Sequence, residues 1–567
     1  MKIERNSLHT CISGVFLMFR KGIVLLILGT IIFTLGLTPP VLTSLQTPTK
    51  TFTATTIDGI QIIYDVIMRP GTSTDAPITI LLHGFAGNRI MMRMIALALA
   101  DKGFICASVD LRGHGSSEGI MGELDNFSND VKAVIQSLHA KGIGDTSRIA
   151  LIGHSMGGGV ILNLGSQLAS IVSTIGVAPV SSPEWVNTTM PRNMLLIIST
   201  GDAVIDSTTV KETFYKSVNG TLGFNESHNI NGAERELFVV EGSDHLNILY
   251  NELVIGEIVK WSTSYVFGAE QSLTINPNLI HVSAYISLTG GALMILSILS
   301  LAHGKIWQKK RRSKARWETD QKALLKIGLT AILLAGFFSP FLAIVLTFAL
   351  GAVTPLFFTN FITALFLGNS IMLGLLARTK LKHSNKEFSY FRFVKESIKK
   401  PSLRVNASLG TIGAAAFIVL FSLTLGSNTT STFSTASIRL LSLPLYTLIF
   451  VFIFIFYESF FKGFVRPMIG DGIKRMAYSI FFELVVLVLT FVLELVIITT
   501  ILSLFMPHIQ LGFFVLGLNF LLVSLVISIV SAEVFYERTG GWITQIIISS
   551  LTFATLTIIF SPALRFF

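Results

Sequence analysis

The chain has 567 residues, of which 51% are hydrophobic and only 13% charged, a balance that excludes a disordered protein or an ordinary water-soluble one and indicates a membrane protein. Its net charge of +10 does not imply nucleic acid. The stretch from about Lys50 to Gln271 holds more acidic than basic residues, so the positive excess sits in short segments between apolar runs, where it sets orientation.

At the N-terminus Lys2, Arg5, Arg20 and Lys21 precede the apolar segment Gly22 to about Leu45. A cleavable signal peptide is the competing reading. The length of the run, Pro39-Pro40 at its far end and the lack of a small-residue cleavage site favour an uncleaved anchor with a cytoplasmic N-terminus. From Thr51 the pattern changes. TFTATTID and IQIIYDVIM form an expected antiparallel hairpin, followed by strands ITILLHG, FICASVD, RIALIGHS, IVSTIGVAPV, MLLIIST and ELFVVEG. Helices are expected from about Arg89 to Asp101, from about Leu124 to Ala140, and after RIALIGHS. Apolar strands separated by helices predict an α/β fold, a mostly parallel sheet with helices on both faces and its ligand edge at the strand C-termini. Only SSPEWVNTTMPRN separates two of the late strands, too little for a large cap. Cys106 falls in an expected strand and Cys11 before the first span, so no disulfide framework is expected.

Beyond His281 long apolar runs predict spans near 279–303, 325–350, 353–377, 405–427, 438–461, 477–505, 510–532 and 541–563, nine with the anchor. Basic segments at Lys305 to Lys322, Arg378 to Arg404 and Lys462 to Arg475 then share the cytoplasmic side, opposite loops such as GSNTTSTFSTAS that lack positive charge. Sequons at Asn126, Asn187, Asn219 and Asn225 agree with an external domain. The expected division is 1–45 for the N-terminus and anchor helix, 46–275 for an extracytoplasmic α/β domain, and 276–567 for an all-α transmembrane bundle of about eight helices.

The chemistry centres on Gly153-His154-Ser155-Met156-Gly157. An apolar strand runs into this G-x-S-x-G and a helix follows, the order of a nucleophile elbow; side chains at Gly153 and Gly157 would collide with neighbouring backbone. A serine hydroxyl needs a base and an orienting carboxylate. His245, after ELFVVEG, is the expected base, ahead of His228 in a polar loop. Asp202, after MLLIIST, is the expected acid, ahead of Asp206, which suits a helix cap, and Asp244, adjacent to the histidine. The oxyanion donors are expected to be the backbone N–H groups of Met156 and of Phe85, with His83 and Gly84 shaping the loop before Phe85.

Together His83-Gly84, Asp110 to Gly119 (DLRGHGSSEG), Gly-His-Ser155-Met-Gly-Gly, Asp202 and His245 resemble the α/β-hydrolase superfamily, in its monoacylglycerol-lipase-like and serine-aminopeptidase-like branch, over about residues 50–267. The resemblance implies that Ser155, Asp202 and His245 form a triad in the superfamily's chain order, that Asp110, Arg112 and His114 are structural, and that no cofactor is needed. Ser199 stands where relatives often carry glycine. YESFFKGFVRP (457–467) and YERTGGWITQII (536–547) weakly resemble the CPBP (CAAX-protease-like) intramembrane proteases. Here, however, Tyr457-Glu458 and Lys462 replace that family's Glu-Glu pair and arginine, and Ser549 stands near an expected histidine. No metal site is therefore expected, but a non-catalytic bundle binding lipid or a partner. Glu458, Glu483 and Glu494 lie within spans, with Glu533 near a span end; pairing of Glu458 and Glu483 with loop cations Lys462 and Lys474 is the simplest expectation.

The expected function is a membrane-anchored extracytoplasmic serine hydrolase cleaving ester, thioester or amide bonds of acyl or lipid-like substrates, in contact with membrane lipids and without nucleic acid. With no cap, the membrane surface or the external span ends are expected to complete the acyl pocket. The alternatives are a transporter or scaffold whose external hydrolase-like domain is regulatory or inactive.

Overall fold

The structure, a computed structural model, describes residues 2–121, 124–306, 321–384, 403–425, 437–470, 472–505, 525–537 and 542–559, with Ser389, Arg392, Val394 and Ser561. Its first half is a nine-stranded sheet: β1 (Thr49–Thr55), β2 (Gln61–Ile67), β3 (Pro77–Leu82), β4 (Ile105–Val109), β5 (Asp145–His154), β6 (Ile171–Val177), β7 (Met194–Ser199), β8 (His228–Ile230) and β9 (Ala233–Val240). The spatial order is β1-β2-β4-β3-β5-β6-β7-β9-β8. The β1–β2, β2–β4 and β8–β9 pairs are antiparallel and the rest parallel.

Strands β3 and β7 are buried along their whole length, as strands covered on both faces must be. Successive residues of β3 feed different cores: Leu81 joins Met92, Leu99, Ile255 and Trp261, whereas Ile80 and Leu82 join Val131, Val134, Val160 and Leu164. Helices α2 (Arg93–Asp101) and α6 (Glu252–Phe267) thus cover one face, while α3 (Leu124–Ala140) and α4 (Met156–Gly165) cover the other; α5 (Ser207–Val218) packs beside β7 and β9. The helix expected from Arg89 opens instead as a 3₁₀ turn, Arg89–Met92. Asn88 caps that turn, and the backbone N–H of Arg89 donates to Asp110 at 2.6 Å, so the chain enters α2 one turn late. Strand β8 carries too little pattern to have been expected.

The remainder is helical: α1 (Lys2–Gln46) ahead of the sheet, then α7 (Pro277–Ile306), α8 (Gln321–Gly351), α9 (Phe357–Ser384), α10 (Leu403–Leu425), α11 (Ser437–Glu458), a π-helical stretch (Ser459–Val465) running into α12 (Arg466–Ile469), α13 (Ile473–Phe505), α14 (525–537) and α15 (Ile543–Ile559). Among the described residues six helices are long and apolar enough to cross a membrane: Gly22–Thr43, Pro277–Ala302, Gln321–Gly351, Phe358–Lys382, Leu440–Ile469 and Lys474–Ile501. Val405–Phe421 and Ile543–Ile558 are shorter apolar helices. Most of the expected span 510–532 lies outside the described residues. The protein is a multi-pass membrane protein in which a mixed α/β sheet precedes a largely helical region.

Pro39 and Pro40 do not break α1, which runs to Gln46. Hydroxyls of Thr38 and Thr43 bond carbonyls one turn back, the kind of side-chain partner that lets proline persist in a span. Glycines set the pairing of α1 with α7: a Cβ on Gly36 would lie 2.4 Å from Ser287 N, and one on Gly290 2.3 Å from Phe33 N. Backbones approach this closely only where side chains are absent.

Candidate active site

The elbow is built by steric necessity. A Cβ on Gly153 would lie 2.2 Å from Gly157 O, and one on Gly157 2.6 Å from Leu82 O. Between them Ser155 has φ 53° and ψ −116°, a conformation costing a non-glycine residue about 1–3 kcal/mol. Its backbone is pinned on both sides: its N–H donates to Val177 O at 3.0 Å, and its carbonyl accepts from Val180 N at 2.9 Å. Met156 is the first residue of α4, so no carbonyl of that helix takes its N–H.

Strand β3 delivers the adjoining loop, since Leu82 pairs with Gly153. His83 is fully buried there. Its Nε2 accepts from Leu111 N at 3.1 Å, which leaves Nδ1–H to donate to Gly84 O at 2.7 Å. Burial pushes the His83 pKa down, so the ring is neutral and holds the loop. A Cβ on Gly84 would lie 2.8 Å from His154 Nδ1 and 3.0 Å from Ser155 Cβ. Gly84→Ala is therefore expected to displace the Phe85 loop and lower kcat about a hundredfold, as misplacement on the ångström scale does; ester turnover compared with an unchanged circular dichroism spectrum checks it.

Asp202 and His245 follow β7 and β9, strands in parallel register with Ser199 opposite Val240. His245 Nδ1 lies 2.7 Å from Asp202 Oδ2. The other Asp202 oxygen accepts from Val204 N at 2.8 Å and Ile205 N at 3.2 Å. Burial works to raise the Asp202 pKa, but the hydrogen bond and charge of His245 and those two amides hold it below the usual aspartate value. His154 donates from Nε2 to the His245 carbonyl at 2.9 Å, with the two rings 4.6 Å apart. Burial, reinforced by the neighbouring His245, pushes the His154 pKa down to about 3, leaving the ring neutral. No hydrogen bond joins the Ser155 hydroxyl to His245 among the described residues; the elbow and the Asp202–His245 pair occupy the same edge of the sheet.

The rival candidates are occupied elsewhere. Asp206 caps α5 by accepting from Thr208 N at 2.9 Å, and Asp244 accepts from Leu246 N and Asn247 N at 2.9 Å. His228 begins β8 rather than lying in an unsupported loop, and its Nε2 is 3.1 Å from Gly223 O. Asp110 is buried against Arg89 and accepts from Ser116 N at 2.7 Å. Arg112 pairs with Asp130 and Asp58, each at 2.7 Å, so this loop braces the fold.

One role escaped the sequence. Ser199, the departure from glycine, donates its hydroxyl to Ser243 O at 2.6 Å and accepts from Gly201 N at 3.2 Å; it staples the acid turn to the histidine loop. Both site loops also touch membrane helices. The Phe85 ring is 5.8 Å from that of Phe358 on α9, and Tyr250, just beyond His245, stacks on His281 of α7 at 4.1 Å.

This sheet and elbow define the N-terminal region as an α/β-hydrolase-superfamily domain. Residues 74–217 match the family model for serine aminopeptidase, S33. A monoacylglycerol lipase from Mycolicibacterium smegmatis is 31% identical over 114 residues, 20% of this chain and 39% of that protein. An uncharacterized 31.7 kDa protein of Escherichia coli, from the traX-finO intergenic region, is 32% identical over 127 residues, 21% of this chain and 43% of its own. The chain thus spans under half the length of these relatives. The solved esterase Pf2001 of Pyrococcus furiosus covers 39% of this chain and 95% of its own, at 18% identity and a TM-score of 0.33.

Proposed function

We propose that the protein is a membrane-tethered serine hydrolase that cleaves ester, thioester or amide bonds of acylated or lipid-derived substrates outside the cytoplasm. The observation that carries this reading is the Asp202–His245 hydrogen bond of 2.7 Å at the strand edge that also presents the Ser155 elbow. In the reaction His245 Nε2 takes the Ser155 proton as Oγ attacks the carbonyl. Asp202 stabilises the imidazolium, and the N–H groups of Phe85 and Met156 receive the oxyanion. His245 then protonates the leaving group; water, activated by the same histidine, attacks the acyl-enzyme, and the acid departs as the proton returns to Ser155 Oγ. A fluorophosphonate probe tests this directly: labelling of the folded wild type at Ser155 is the expected result.

Acyl chemistry is favoured by the monoacylglycerol lipase among the relatives and by the apolar wall beside the oxyanion loop. Residues 178–193 between β6 and β7 hold one 3₁₀ turn, Pro183–Trp185, and no cap. Phe85 and Ala86 pack instead against the cluster of the membrane helices that includes Leu356, Phe358 and Phe361. Phe358 is held in place because its neighbour Thr359 bonds Thr557 O at 3.0 Å and Ser561 Oγ at 3.1 Å. We expect Phe358→Ala to lower kcat/KM for long-chain esters about tenfold relative to short-chain ones. Equal loss across a chain-length series would remove α9 from the acyl site.

The external orientation rests on the charge pattern around Lys305 to Lys322 and Arg378 to Arg404. The third basic segment is weaker than its sequence suggests. Lys462 and Arg466 are not loop cations: the π-helical stretch and α12 continue α11 and bury both.

A further inference from the structure

The membrane bundle buries far more ionisable chemistry than its packing requires. Lys462 Nζ donates to Glu483 at 2.5 Å and to Glu533 at 2.8 Å. Glu533 also accepts from Ser479 at 2.5 Å and from Arg466 Nε at 2.9 Å. Arg466 Nη2 reaches Glu537 at 2.7 Å, and Glu537 is the member that meets water, its side chain 28% exposed. Glu458 interacts electrostatically with Lys462, Glu483 and Glu533. Among the described residues, four carboxyl groups, Glu458, Glu483, Glu533 and Glu537, therefore face two buried cations, Lys462 and Arg466. Lys474, the other expected partner, is exposed instead.

An uncompensated carboxylate in a hydrocarbon-embedded bundle is costly. Protons resolve such an excess most simply. Glu458 Oε2, the Tyr457 hydroxyl and Glu494 Oε2 are buried without a hydrogen-bond partner among the described residues. Glu494 is held only through its other oxygen, by the Ser339 hydroxyl. Glu483 and Glu494 share one face of α13, three turns and about 16 Å apart. Tyr457, the residue before Glu458, lies within electrostatic reach of Glu494, Glu483 and Glu458 together. After Glu458 the helix changes to π geometry from Ser459 to Val465, a departure frequent at functional sites; the stretch includes Lys462.

Among the described residues, α13 supplies Glu483 and Glu494 to the surroundings of Glu458, with Lys474, Arg475 and Tyr478 exposed at its start; α14 supplies Glu533, Tyr536 and Glu537; and Lys322 and Lys326 of α8 are exposed. α15 has none in its sequence, and Arg378, Lys380 and Lys382 of α9 are exposed at its far end.

We propose that Glu494, Tyr457, Glu458 and Glu483 form a proton-transfer file through the bundle, ending at the Lys462–Glu533–Arg466–Glu537 ionic ladder, and that the membrane half translocates protons. Each step breaks one O–H bond on the donor and forms one on the acceptor. Tyr457 gives its own proton as its oxygen accepts another. The net change is the passage of H⁺ down its gradient, with no redox partner. This activity is separate from the hydrolase.

The test uses the full chain reconstituted in phosphatidylethanolamine–phosphatidylglycerol vesicles containing a pH-sensitive dye, with a potassium diffusion potential set by valinomycin. Wild-type vesicles are expected to acidify faster than protein-free ones. Glu458→Gln and, independently, Glu494→Gln, whose amide can still accept from Ser339, are expected to return the rate to the protein-free level while the detergent-solubilised variants stay monodisperse. Wild-type vesicles no faster than protein-free ones, or wild-type flux in both monodisperse variants, would overturn the proposal.

Discussion

Replacing Ser155 with alanine is expected to lower kcat for ester hydrolysis by about a millionfold and to abolish fluorophosphonate labelling. The hydroxyl is the only part of the elbow that alanine lacks; the backbone bonds to Val177 and Val180 and the glycine contacts around it are untouched. Only one oxygen atom is removed, so the cavity is small and the thermal midpoint should hardly move. Residual turnover, about a thousandfold or more over water, is expected from the oxyanion donors and substrate binding. Turnover with a panel of p-nitrophenyl esters and in-gel labelling measure both. A folded wild type that resists the probe would falsify the hydrolase reading.

Asp202→Asn is the next largest effect, a loss in kcat of about ten-thousandfold. The reason is directional. Asp202 uses one oxygen to accept from Val204 N and Ile205 N and the other to accept from His245 Nδ1. An asparagine must keep its carbonyl oxygen toward the two amides, so its NH₂ faces Nδ1 and drives the histidine proton to Nε2, where the base has to be free. Because the Asp202 pKa is depressed in the fold, its ionised form stabilises the protein above the ordinary aspartate range, about pH 4, and that contribution fades as pH falls through the depressed value. The stability gap between wild type and variant is therefore expected to be widest at neutral pH and to close in acid. Thermal melts across the range check the sign, while steady-state kinetics check the rate.

Much of the hydrolase half was legible because its signals are local. A period of apolar strands, a glycine on each side of Ser155 and a histidine at a strand end each declare themselves within a dozen residues. The acid was readable because Asp206 and Asp244 lie where aspartates cap turns. What escaped depends on neighbours distant in sequence. β8 exists because Ala233 to Arg235 offers an edge to three residues of a polar loop. Ser199 acquires its role from Ser243. Phe85 meets Phe358 only once α9 is folded beneath it. In the bundle, Lys462 and Arg466 resemble the start of a basic loop, because a π-helical continuation of α11 has no signature in composition. Their carboxylate partners come from α13 and α14, which no spacing rule connects to them.

The pairing of α1 with α7 has a kinetic consequence. The hydrolase domain enters and leaves the membrane through two helices locked together at Gly36 and Gly290, so it is moored at both ends, and Phe85 and Tyr250 rest on the bundle beneath. A catalyst moored in this way samples a thin layer above the lipid and moves only as fast as the bilayer lets it drift. For a lipid substrate, its saturation would follow the number of substrate molecules per unit of membrane area rather than per litre. Diluting the substrate with inert lipid, at constant bulk concentration, would slow it as effectively as a competitive inhibitor.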